Sequence, residues 1–273
     1  MTSRLVAAWL LGLSVLRADS SPIVVEETVD HGQPAYRIVT PAATWIYQKE
    51  GAGFSALLDP AGNNWISFRP GDGARGEFRG MPNAVFRRKQ AGNNFFHPGH
   101  AGSKGAVTDL VLAGPSRVIL RSQSVDGRWA CEWEILPDCA RFRMVTRPEN
   151  DDGYWFLYEG TPGGRFSVTD SCLRPGGLLT PLSEEWESSL DKVPWVAFIS
   201  PDGGHSLVLA AAGGASRTVS YRPMEQAMTV LGFGRSLRSL ENQLQGEVAF
   251  TVALIKETAP AEVAARAAAL LNR

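Results

Sequence analysis

Gly51 to Phe68 reads GAGFSALLDPAGNNWISF, an apolar run, a turn and a second apolar run. FSALLD is a short strand. Asp59-Pro60-Ala61-Gly62-Asn63 then turns the chain, because Pro presets one dihedral and Gly accepts a positive φ. WISF resumes the sheet at Trp65. The stretch predicts a hairpin with one buried face.

The same grammar continues outward. Ile23 to Val29 is β-branched and ends at Asp30-His31-Gly32, with His31 as a turn residue. AYRIVT and TWIYQ follow. Beyond the hairpin, Val107 to Leu112, Ser116 to Ser122 and Trp129 to Leu136 alternate with turn signals. ARFRMVT (Ala140 to Thr146) puts Phe142 and Met144 on one face and Arg141, Arg143 and Val145 on the other, the period of a half-buried strand. Trp195 to Ser200 and Ser206 to Ala211 form a hairpin across Pro201-Asp202-Gly203-Gly204, with His205 structural at its mouth. Leu178 to Pro194 reads as a loop. Met228 to Gly234 and Glu247 to Lys256 are apolar strands, the latter central. Thr258 to Asn272 changes type: Pro260 suits a first helical turn, and Val263, Ala267 and Leu270 or Leu271 share a face. No repeat or linker divides the chain, so residues 21–273 are expected to form one all-β antiparallel sandwich domain with one C-terminal helix.

Eight Trp and twelve Phe supply a sizeable core, and a net charge of -1 gives no bulk electrostatic case for nucleic acid or an anionic membrane. Arg4, the apolar run Leu5 to Leu16 and the small-x-small site Ala18-Asp19-Ser20 follow the order of an export signal over residues 1–20. The alternative is a buried N-terminal helix. No later stretch is long and apolar enough to span a bilayer. The mature protein is expected to be secreted or periplasmic, where disulfides are permitted. Of three cysteines, Cys131 and Cys139 are awkwardly placed for a direct bridge and Cys139 with Cys172 is open; buried thiols are the other reading.

Two blocks stand apart. Gly76 to His100, GEFRGMPNAVFRRKQAGNNFFHPGH, has no period of 2 or 3.6. Its Phe78, Met81, Val85, Phe86, Phe95 and Phe96 want burial, so an ordered, polar-lined binding loop is expected. In YWFLYEGTPGGRF (Tyr154 to Phe166) a strand would show Tyr154, Phe156 and Tyr158 on one face and Trp155, Leu157 and Glu159 on the other. It lacks the Gly-Lys-Ser/Thr of a phosphate loop.

The segment GAGFSALLDPAGNNWISF resembles the opening of galactose-mutarotase-like β-supersandwich domains. GEFRGMPN, WFLYEGTPGG and MTVLGFGR together resemble a group of exported bacterial proteins associated with carbohydrate-rich habitats. The resemblance implies a supersandwich fold, export and an oligo- or polysaccharide partner; it supplies no catalytic assignment. Supersandwich domains occur in several polysaccharide lyases, which makes the scaffold permissive for that activity.

Aromatic faces and planar polar groups suit a saccharide, and two catalytic routes are open. β-Elimination on a uronic-acid polymer needs a neutralised carboxylate and a base. His97 or His100 would be the base, with Tyr158 as alternative; Arg79 with Asn83 or Asn94 would neutralise the acid. Mutarotase-like chemistry would pair a His acid with a carboxylate base, His97 or His100 with Glu159. Hydrolysis would need two carboxyl groups a fixed distance apart, with Asp170 or Glu185 partnering Glu159. Arg88, Trp155 and Trp186 are further candidates for substrate binding. Against these stand blander readings: a backbone-bonded His97-Pro98-Gly99-His100 turn, a paired Arg79, a solvated Arg87-Arg88-Lys89 face, tryptophans in the core. The two histidines could also hold a metal, but no third ligand is evident and no cofactor is expected. A non-catalytic carbohydrate-binding or surface-associated module is the alternative to an enzyme.

Overall fold

The computed structural model describes residues 21–86, 94–149, 153–214, 217–239, 241 and 243–271. The proposed export signal and Arg88 lie outside them. Seventeen strands occur among the described residues, in three antiparallel sheets.

The largest sheet takes β5 (Ala106–Ala113), β6 (Val118–Ser124), β7 (Ala130–Ile135), β8 (Ala140–Thr146), β10 (Ser171–Arg174), β11 (Leu178–Pro181), β13 (Trp195–Ser200), β14 (His205–Ala212) and β17 (Ala249–Ile255). Its order is β11-β10-β13-β14-β17-β8-β7-β6-β5. A second sheet is β1 (Val24–Asp30), β2 (Gln33–Val39), β3 (Thr44–Gln48) and β4 (Gly53–Leu58), in chain order. The third runs β12-β15-β16-β9, from β12 (Trp186–Ser189), β15 (Thr218–Met224), β16 (Met228–Phe233) and β9 (Phe156–Gly160). The segment Leu178 to Pro194, read as loop, thus contributes two short strands, β11 and β12. A single turn, α1 (Ala74–Glu77), precedes the segment that joins the two smaller sheets.

That joining segment is part of Gly76 to His100. Met81 exchanges both backbone hydrogen bonds with Phe54 of β4, at 2.8 and 3.3 Å. Gly80 does the same with Glu159 of β9, at 2.8 and 3.0 Å. Leu157 N donates to Pro82 O, and Trp155 N to Ala84 O. The aperiodic block therefore works as a bridging strand that makes one layer of the two smaller sheets. Periodicity could not reveal it, because Pro82 and Asn83 (φ +42°) break the alternation of side chains.

The two layers close on aromatic rings. From the composite layer come Trp45, Tyr47, Phe54, Phe156 and Phe233; from the large sheet come Trp133, Phe142 and Phe250. Phe54 meets Trp133 edge-on at 4.7 Å, and Phe156 stacks on Phe250 at 4.4 Å. Each fully buried ring of this kind contributes roughly 1.5–3 kcal/mol. Strand β14 is apolar from Leu207 onward because both its faces are covered there: Leu207 and Leu209 face this core, while Val208 and Ala210 face helix α2 (Pro260–Leu271). That helix buries Val263, Ala267 and Leu270, the face its sequence predicts. Cys131, Cys139 and Cys172 are all buried and none is in a disulfide, so the bridge left open for Cys139 and Cys172 does not form.

Candidate functional site

Strand β9 divides its side chains between two environments. Phe156 and Tyr158 enter the core, whereas Leu157 and Glu159, with Trp155 just before the strand, line a cavity of about 370 Å³ on the outer side of the composite layer. Register carries this row across the sheet, since Glu159 pairs with Val230 of β16 and Val230 with Arg222 of β15. All three line the cavity.

The opposite wall is the segment from Asn94 to His100. Its backbone rests on glycines. A Cβ on Gly53 would lie 2.7 Å from Pro98 Cδ, and one on Gly80 would lie 2.7 Å from His97 Nε2. Two buried glutamines hold the turn. Gln48 Oε1 accepts from Gly99 N at 2.8 Å, and the Gln33 amide donates to the carbonyls of His100 and Ser103.

Glu159 is the centre of the cavity. Its residue is only 5% exposed, yet among the described residues no lysine or arginine lies within ion-pair distance of it. Asn83 Nδ2 donates to its Oε2 at 2.8 Å, and His97 Nε2 lies 3.6 Å from the same oxygen. The His97 ring is surrounded by acceptors. Pro98 O is 2.6 Å from Nδ1 and Phe78 O is 3.3 Å from Nε2, so a proton on either nitrogen is donated to oxygen. Trp155 stacks on Phe86, with centroids 5.4 Å apart, and its indole N–H donates to Asn83 O. His100 lines the mouth and pairs with Glu77 at 3.3 Å. Asn94 also lines the cavity.

Five of the anticipated residues therefore meet in one cavity with Glu159: His97, His100, Asn83, Asn94 and Trp155. Three do not. Tyr158 is fully buried on the core side of β9, and its hydroxyl donates to Trp65 O. Burial pushes its pKa well above that of a free tyrosine, which removes it as a base. Arg79 is buried outside the cavity lining, donating to Ser67 O and Ala227 O; burial, then the charge of Arg69, depresses its pKa. Trp186 pairs with Tyr221, whose neighbour in register is Leu231 and then Tyr158, so it lies on the core face under Arg174. Period-two reading predicted the faces of β9; it did not say which face was the open one.

Two cations were not anticipated as site residues. Arg222 lies 3.3 Å from Glu185 and donates to Leu237 O. Arg235 follows β16 and lies over Trp155, 5.4 Å from the ring centre. The sequence signal for Arg235 was the Gly-x-Gly-Arg that ends MTVLGFGR: Gly232 has no side chain where Arg235 Cβ now packs, and Gly234 (φ +77°) turns the chain back over the sheet. The carboxyl partners considered for hydrolysis are not assembled. Asp170 lines a separate polar cavity of about 380 Å³ beside Asn63, Gly163 and Ser200, and Glu185 is engaged by Arg222. Among the described residues no group of three or more His, Cys, Asp or Glu side chains is placed to hold a metal, and no helix is long and apolar enough to cross a membrane.

No protein family and no curated protein sequence matches the chain. Solved structures do. A putative mutarotase, YeaD, from Salmonella typhimurium superposes with a TM-score of 0.56 at 9% identity, over 87% of this chain and 97% of that one. The α-N-acetylgalactosaminidase NagBb from Bifidobacterium bifidum, in complex with Gal-NHAc-DNJ, gives 0.56 at 14% identity, over 86% of this chain and 38% of that one. A protein called HI1317 gives 0.51 at 10% identity, over 85% and 99%. At these identities the likeness concerns the fold, which is the galactose-mutarotase-like β-sandwich that the sequence resemblance implied.

Proposed function

We propose that this is an exported carbohydrate-active enzyme that moves protons on a sugar bound in the Glu159 cavity, in the manner of a mutarotase. The observation that carries the reading is the convergence of Asn83 and His97 on one oxygen of a nearly inaccessible carboxylate, at 2.8 and 3.6 Å. An imidazole N–H can donate a proton and a carboxylate oxygen can accept one, and the two stand side by side here. Glu159 would take the proton of the anomeric hydroxyl while His97 gives one to the ring oxygen. The C1–O bond of the ring then breaks to an open-chain aldehyde, which closes again from either face. Both groups stand in one protein pocket, so the two transfers need no diffusing catalyst. Phe78 and Phe86 offer apolar surface to the sugar, and the mutarotase and glycosidase neighbours share the scaffold.

A second reading is lyase-type β-elimination on a uronic-acid-containing glycan. Arg222 and Arg235 favour it, since they line the same cavity and could neutralise a carboxylate in place of Arg79. The sugar-binding module remains the non-catalytic form of the same site.

The test is exchange between sugar anomers, followed by magnetisation-transfer NMR, alongside absorbance of an unsaturated product on uronic-acid polymers. Wild type should catalyse one of the two, and Glu159→Gln and His97→Gln should abolish it while remaining folded. Sugar binding without either turnover would leave only the binding module. Export is checked by the mass of the mature protein, which should lack about the first twenty residues.

A further inference from the structure

We infer that the sugar taken by this cavity carries an oxyanion, a carboxylate or a phosphate, and that Arg235 receives it and sets that preference. The inference rests on the reading of the cavity as a sugar site and names the substrate class for it.

Among the described residues that line the cavity, every charged side chain but one faces a side chain of opposite charge or a hydrogen-bond donor. Glu77 pairs with His100, Arg222 with Glu185, and Glu159 is met by His97 and Asn83. Arg235 has no such partner. Its Nε is buried with no hydrogen-bond acceptor, and among the described residues no carboxylate lies within ion-pair distance of its guanidinium. Its guanidinium lies over the face of Trp155, 5.4 Å from the ring centre, and a ring face accepts none of its N–H groups strongly. Burial depresses its pKa; the charge of Glu159 opposes that and the charge of Arg222 adds to it.

A buried guanidinium N–H with no acceptor is unfavourable unless something supplies one, and the Nε of Arg235 is such a group. This one is also held in place. Arg235 Cβ and Cδ fill the space left by the missing side chain of Gly232, where a Cβ would lie 2.9 and 3.3 Å from them. A planar fork fixed on an aromatic face and opening on a cavity is the arrangement that binds carboxylate or phosphate by paired, charge-assisted hydrogen bonds. Neutral hydroxyls would accept the same bonds without offsetting the charge. Arg222, on the same wall, adds a second positive potential.

Calorimetric titration of wild type, Arg235→Gln and Arg235→Lys with galactose, galacturonate and galactose 6-phosphate, and with their gluco counterparts, tests this. Wild type should bind an acidic sugar at least about tenfold more tightly than its neutral counterpart, the scale of one charge-assisted pair. The uronate and phosphate arms tell which oxyanion it is. Arg235→Gln should remove the preference, weakening the acidic sugar far more than the neutral one; Arg235→Lys, which keeps the charge and loses the fork, should fall between. Thermal melts confirm that both variants are folded. Equal binding of acidic and neutral sugars, an equal loss for all of them in Arg235→Gln, or no binding by any probe would overturn the inference. Acidic-sugar binding with no turnover would defeat the catalytic reading alone. Turnover of sugars with no preference for acidic over neutral ones, in wild type and Arg235→Gln alike, would defeat this inference alone.

Discussion

Replacing Gly80 by alanine tests how the fold places the cavity's histidine. The new methyl would lie 2.7 Å from both His97 Nε2 and Pro98 Cδ, and 2.9 Å from His97 Cδ2, where ordinary contact begins at 3.4 Å. Something must therefore move by about 0.7 Å, the difference between those distances. Gly80 cannot retreat without breaking its paired bonds to Glu159, at 2.8 and 3.0 Å. Pro98 cannot slide sideways, because it already sits on Gly53 with no room for a further atom. The ring of His97 must shift from its place beside Glu159. Overpacking of this kind costs about 1–3 kcal/mol, and a misplacement of this size at a reacting group costs up to about 100-fold in rate. Gly105→Ala is the control: its nearest neighbour would be 3.5 Å away, so the variant should be neutral or slightly stabilised. Denaturant melts and the turnover or sugar-binding assay would be run on all three proteins. Wild-type stability and wild-type activity in Gly80→Ala would refute the seating of His97 described above.

Three other expectations follow from the same geometry. Burial raises the Asp170 carboxyl from its ordinary value of 3.8 to about 6, so the folded state binds that proton more tightly than the unfolded chain. Its contribution to stability therefore falls as pH rises from about 4 to about 6. Asp170→Asn should gain on wild type across that range, by about 1–3 kcal/mol near neutral pH; denaturant midpoints at about pH 4 and about pH 7 check it, and a pH-independent difference would count against it. Tyr158→Phe should lose only about 0.5–1.5 kcal/mol, because Trp65 O keeps its second donor, Thr161 N at 2.9 Å, and should retain whatever turnover wild type has. Phe156→Ala, which removes the ring stacked on Phe250 and flanked by Phe142 and Trp133, should lose about 3–5 kcal/mol in a denaturant melt.

Local chemistry was enough for much of the chain. Alternation in ARFRMVT, the Asp-Pro-Ala-Gly-Asn turn and the Val263-Ala267-Leu270 face depend on residues near one another in sequence, and the structure follows them. The same rule divided β9 correctly between Phe156 with Tyr158 and Leu157 with Glu159. Which of those faces meets the large sheet depends on packing against other strands, through Trp133, Phe142, Phe198 and Phe250, and this took Tyr158 into the core and left Glu159 in the cavity. Trp186 followed Tyr158, because register across β15, β16 and β9 ties their side chains to one face.

The sequence by itself determined an antiparallel β sandwich with a C-terminal helix, since period and turn residues act over a few positions. Only the tertiary structure decided that an aperiodic segment bridges two sheets, that His97 reaches Glu159 across it, and that Arg235 rather than Arg79 enters the cavity. Those contacts are made by backbone pairing and by the space glycines leave, and neither leaves a repeating mark along the chain.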